Sequence, residues 1–158
     1  MLFRSVEYIK KYEPLSKHGL LGGDGVSSFS NYNYVIENIE KNVISCAGIR
    51  EKFNFIIQKY CNDVGIRELE ITNSWASIQN KGSSLKKHLH HFCSVSGVLY
   101  LYTDSESSKI YFYNPNPYNN FYLRKEYSEY TYEHIWCQPK IGDIFLRSEE
   151  HTSELQSH

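Results

Sequence analysis

Two histidines one residue apart, His88 and His90, stand just ahead of an apolar run, Val95-Ser-Gly-Val-Leu-Tyr100-Leu-Tyr102. In an extended strand, residues i and i+2 share a face. Leu89 then turns to the core, and the two imidazoles stand side by side. Two neutral imidazoles on one face suit two adjacent positions on a divalent metal. An HxH triplet is also read as a pair of surface histidines near a strand end. His91 alternates with His90 and is expected to point away. His134 reads either as a ligand or as a wet imidazole on another strand.

The elements that must position this pair change character along the chain. Leu20-Leu-Gly-Gly-Asp-Gly-Val-Ser-Ser28 is glycine-rich and reads as a loop. A phosphate cradle would need a GK[ST] sequence, which does not follow. Ser30 or Asn31 caps an expected helix through Tyr34, Val35, Ile36 and Ile39 to Val43. A second helix is expected from Gly48 to Asn62. Its apolar residues Ile49, Phe53, Ile56, Ile57 and Tyr60 fall at helical spacing and should pack on a sheet. Beyond Gly65 the pattern alternates. Strands are expected within Leu69–Asn80, His88–Cys93, Val95–Tyr102, Ile110–Tyr113, Tyr130–Cys137 and from Ile144, with turns between. Short antiparallel strands at this spacing indicate a barrel or sandwich with helices over one face.

The chain has 158 residues, with 17 basic against 18 acidic. That length fits one domain with a real core. The balance gives no electrostatic signal for nucleic acid or an anionic membrane. No apolar run approaches a membrane span and no secretory leader is visible, so a cytoplasmic protein is expected. Cys46, Cys61, Cys93 and Cys137 form no CxxC and read as free thiols, with Cys93 and Cys137 as small core residues. Half of the 14 tyrosines lie between Tyr111 and Tyr132. They read as ordinary strand tyrosines or as an aromatic surface.

Arg147-Ser-Glu-Glu-His-Thr-Ser-Glu-Leu-Gln-Ser-His158 breaks the pattern just after a strand begins. This tail resembles the translation of a common sequencing adapter, without mismatch from Arg147 through Ser157. It is expected to be non-native, with the natural sequence cut off inside a strand at Leu146. Glu149, Glu150, His151 and His158 are therefore set aside as site residues.

Several motifs occur together in one order. They are Trp75, Gly82, His88-Leu-His90, Ser96-Gly-Val-Leu-Tyr-Leu101, Phe112-Tyr-Asn-Pro115 and Pro139-Lys-Ile-Gly-Asp-Ile144. Over about residues 70–146 the chain resembles 2-oxoglutarate/Fe(II)-dependent oxygenases of a type common in marine bacteria and phages. His91 stands where that family usually has proline. The family's Phe-Pro-Ser segment, distal histidine and later arginine have no counterpart after Leu146.

The resemblance implies a double-stranded β-helix, a jelly-roll or cupin-like barrel, here incomplete at its C-terminus. The expected organisation is a helical and loop region over 1–65 packing on the barrel, a partial double-stranded β-helix core over 66–146 and the non-native tail over 147–158. It implies Fe(II), 2-oxoglutarate and dioxygen, with ascorbate as a further cofactor, and hydroxylation of an unspecified substrate. His88 and His90 become the metal ligands. Tyr100 and Trp75, on flanking strands, become candidates to line the cofactor pocket, with core packing as the other role for Trp75. Without the distal histidine and arginine, little turnover is expected. A cupin-like metal- or carbohydrate-binding module without redox turnover is an alternative, as is a phage structural protein. Neither substrate nor oligomeric state follows from the sequence.

Overall fold

The structure is a computed structural model describing residues 2–29, 34–104, 106–115, 133–149 and 152–156. It forms two compact units. One comprises Met1–His18 with Gly25–Ile78, and the other Gly19–Asp24 with Gln79–His158.

The first unit is mainly helical. Helix α1 spans Leu2–Tyr12, α2 Val35–Asn42 and α3 Ile49–Val64, with a short 3-10 turn at Ile44–Cys46. Ser5 and Ile9, four residues apart on α1, are both buried. Ser5 Oγ lies 3.0 Å from Cys46 Sγ, so a polar pair occupies part of this core. Helix α1 lies within the stretch expected to be helix or loop, where the sequence assigned no particular element. Helices α2 and α3 lie where the spacing placed them, with α2 shorter than expected, and they pack together. Ser30 and Asn31 are outside the described residues. Gly65 ends α3 at φ 72°, and its N–H reaches the Asn62 and Cys61 carbonyls. A side chain is strained in that left-handed conformation.

Strands β2 (Val26–Ser27) and β3 (Ser77–Ile78) pair antiparallel in the same unit. The alternating stretch from Leu69 to Asn80 therefore yields only two strand residues, a correction to the expected strand. Local partners explain it. Gln58 on α3 donates to the Leu69 carbonyl at 2.9 Å. Ser74 Oγ accepts the Ile36 N–H at 3.0 Å, and the Ser74 carbonyl accepts the Val35 N–H. Ser74 thus serves the first turn of α2, whose N-cap Tyr34 makes no side-chain cap.

The second unit holds β1 (Leu21–Gly22), β4 (Ser84–His88), β5 (Val95–Leu99), β6 (Lys109–Tyr113), β7 (His134–Cys137), β8 (Ile144–Ser148) and β9 (Thr152–Gln156). One sheet has the order β1-β4-β9-β6-β7, and β5 pairs with β8 in a second. All described pairings in this unit are antiparallel. The chain alternates between the sheets, from β4 to β5, back to β6 and β7, out to β8 and back to β9. The segment set apart on sequence, 147–158, completes β8 and supplies β9.

Register decides what faces inward. Val98 is opposite Phe145 and Ser96 opposite Arg147. Phe145 meets Phe112 of β6, with centroids 6.0 Å apart, and Tyr100 edge-on at 5.8 Å. Ser96, Val98 and Tyr100 therefore share the face that carries Phe145 and Arg147. Gly97 is on the other face, where an added Cβ would come within 2.6 Å of Leu146 Cδ2. The glycine of the Ser-Gly-Val motif thus lets the leucine lie flat across β5.

Candidate metal centre

His88 ends β4, and His90 follows in the connection to β5. Their ring centroids are 4.9 Å apart and their planes nearly perpendicular, at 84°. The imidazoles stand together as expected, but not on the expected strand: no strand runs from His88 to Cys93, and His90 lies outside β4. A register irregularity between Leu85 and His88 twists the strand end that presents them.

Each ring is held through the same nitrogen. His88 Nδ1 is 2.7 Å from the Lys86 carbonyl oxygen, which can only accept, so Nδ1 carries the proton. His90 Nδ1 is 3.2 Å from Glu149 Oε1, and the His90 backbone N–H donates to Glu149 Oε2 at 2.6 Å. A carboxylate likewise accepts, which fixes the same tautomer. In the neutral form of each ring, Nε2 is then the nitrogen without a proton, the atom that ligates metal.

Electrostatics favour this state. Burial pushes His88 below its ordinary value, and neighbouring His90 and Arg147 lower it further, against the raising effect of the Lys86 hydrogen bond. Neutral imidazole is the ligating form. Burial alone would raise the Glu149 carboxyl. Hydrogen bonds from the His90 N–H, the Ser96 side chain and the His90 ring, with Arg147 nearby, bring it below the usual range instead. Glu149 is thus an anion at neutral pH. Arg147 Nη2 lies 3.2 Å from it, with the Arg147 side chain buried and that of Glu149 part-buried. This carboxylate was set aside on sequence. Fifty-nine residues separate it from His90, so no local spacing signals the contact.

Tyr100 begins the turn after β5, held by its N–H to the Asp143 carbonyl and by the Gly142 N–H to its own carbonyl. It is at the end of the β5–β8 pair away from Arg147. Its hydroxyl is buried with no hydrogen-bond partner among the described residues, and burial raises its pKa. A buried donor with nothing to donate to is the kind of group a ligand oxygen satisfies. Trp75 belongs to the helical unit, edge-on to Phe29 at 4.9 Å.

The remaining histidines divide. His91 is exposed, 6.4 Å from the Phe92 ring. His134 packs against Tyr111 and Tyr113. His151 and His158 are outside the described residues. All four cysteines are free thiols. The core pair is Cys46 and Cys61, not Cys93 and Cys137, which are half-buried. Cys93 is in the turn before β5, with its thiol on the Val95 carbonyl at 2.7 Å.

The side chains brought together are two imidazoles 4.9 Å apart, a buried guanidinium and a part-buried carboxylate, a donor set whose chemistry suits two positions on a divalent metal. Among the described residues, no group of three His, Cys, Asp or Glu side chains is placed to share an ion. None of the described helices is long and apolar enough to cross a membrane.

Residues 73–152, half of the chain, match the model of a family described as "Putative 2OG-Fe(II) oxygenase". The chain belongs to that family. Its matched region contains both histidines, Tyr100 and Glu149. No curated protein matches the chain.

Proposed function

We propose that this chain carries the metal- and co-substrate-binding face of a Fe(II)- and 2-oxoglutarate-dependent oxygenase of the hydroxylase type. The observation that carries the reading is the close approach of the His88 and His90 rings, 4.9 Å between centroids, each held through Nδ1. Iron, 2-oxoglutarate and dioxygen supply the oxidising chemistry when bound, with succinate and carbon dioxide as co-products. The chain's own residues bind and orient. His88 and His90 would hold the metal, with the Lys86 carbonyl and Glu149 fixing their rings. The Tyr100 hydroxyl, at the other end of the β5–β8 pair, would meet only the carboxylate of 2-oxoglutarate farther from the metal. Phe112 and Phe145 supply an apolar floor that excludes water from the reacting groups.

The alternation of the chain between two antiparallel sheets supports a double-stranded β-helix, the jelly-roll arrangement that holds such sites inside its mouth. A second reading, metal binding without redox turnover on the same scaffold, is favoured by the pairing of only two ligating side chains among the described residues. Anaerobic loading with Fe(II), then air and 2-oxoglutarate, separates the two. Succinate formation dependent on His88 and His90 supports the oxygenase. Histidine-dependent metal binding without succinate supports the second reading.

A further inference from the structure

The five-stranded sheet has two unlike faces. His88 is opposite Ser153, and Ser153 is opposite Phe112, so His88 and Phe112 belong to the inward face. The other face carries the alternate residues. Tyr113 is opposite His134 and Tyr111 opposite Trp136. The His134 ring lies 5.5 Å from that of Tyr111 and 5.4 Å from that of Tyr113. Lys109 Nζ sits 3.6 Å from the Trp136 centroid. Lys87 reaches across β9 to within 4.2 Å of the Tyr113 centroid. Trp136 is 52% exposed, while Ile110 on the inward face is 3% exposed. The platform therefore combines three stacking rings, an imidazole and two ammonium groups. The register also gives it one acidic position, Glu154 opposite Tyr111.

We propose that this face binds single-stranded nucleic acid. Tyr111, Tyr113 and Trp136 stack bases, and Lys87 and Lys109 meet phosphates. Every base has a π-face, so exposed rings bind single strands without reading sequence. An ammonium already seated on a ring edge or face is placed to neutralise a phosphate beside the stacked base. From Lys109 to Tyr113 the platform runs about 13 Å at the usual strand rise. That length takes on the order of four bases of a stacked strand. The near-neutral charge of the whole chain concealed this surface, because the positive groups are local to one sheet face.

The test is fluorescence anisotropy of fluorescein-labelled dodecathymidylate with the whole chain. Saturable binding is expected in 50 mM salt. Two phosphate contacts should make it roughly sevenfold weaker at 200 mM. Trp136→Ala should weaken it roughly fivefold or more. Lys109→Gln should weaken it and reduce the salt dependence, Glu154→Gln should strengthen it, and Lys140→Gln, away from the platform, should leave it unchanged. Circular dichroism establishes that each variant is folded. No saturable binding at 50 mM salt overturns the proposal. So does unchanged binding by folded Trp136→Ala and Lys109→Gln. A heparin fragment that competes as well as the oligonucleotide also overturns it, because a polyanion without bases would then suffice.

Discussion

His90 and Glu149 are joined at two points, backbone N–H to Oε2 at 2.6 Å and ring Nδ1 to Oε1 at 3.2 Å. One carboxylate thus fixes both the chain path after the His-Leu-His triplet and the orientation of its second ring. Arg147 sits on the same carboxylate. Glu149→Ala should leave Arg147 buried without this partner, at a cost of about 3 kcal/mol. Glu149→Gln keeps an oxygen acceptor and should cost less. Urea denaturation of the two variants checks the order.

Acid should destabilise the metal-free chain in two steps. The His88 value in the fold is below 6.5, so the unfolded chain takes up that proton first. Its contribution is fully present above pH 6.5 and is lost as pH falls toward the folded value. Glu149, also lowered in the fold, contributes fully above about 4.5 and loses that contribution as pH falls through its folded value. The denaturation midpoint should therefore decline first below pH 6.5. His88→Gln should remove that first decline and keep the second.

Tyr100→Phe should separate stability from ligand binding. Removing a buried hydroxyl that has no hydrogen-bond partner among the described residues should stabilise the ligand-free chain by about 1 kcal/mol. The same change should reduce the gain in melting temperature from 2-oxoglutarate with Mn(II). Thermal melts with and without the pair of ligands read both effects.

Position 153 is the Cα partner of His88 on β9. Directly opposite residues in an antiparallel pair have Cβ atoms about 4.5–5.5 Å apart on one face. Ser153→His should therefore add a third imidazole beside the pair. It should tighten Co(II) binding by roughly tenfold or more, on the scale by which supporting groups tune metal sites. The visible absorption of Co(II) follows the change.

Local signals were legible where local forces decide. The apolar spacing of Ile49, Phe53 and Ile56 specifies α3, and alternation around Gly97 specifies β5. The neighbouring of His88 and His90 was legible in their spacing, but the strand alternation invoked for it was not formed, since His90 lies beyond the end of β4. Stretches whose partners are distant or polar were not legible. Ser5 in α1 packs on Cys46, 41 residues away. Ser74 takes backbone groups of α2 where a ladder was expected. Glu149 reaches His90 from 59 residues away, and it was set aside because it stands in the tail that resembles a translated adapter. Tyr111 and Tyr113 showed alternation, but the basic groups beside them come from other strand positions, Lys87 and Lys109.

The central claim is that His88 and His90 offer their Nε2 atoms to a single metal. Two-bond proton–nitrogen correlation spectra of the imidazoles, taken before and after one equivalent of Zn(II), test it most directly. Before metal, both rings should be protonated at Nδ1. After metal, the Nε2 resonances of both should shift together while Nδ1 keeps its proton. Protonation at Nε2 in either ring before metal, or a shift confined to one ring after it, would contradict the account.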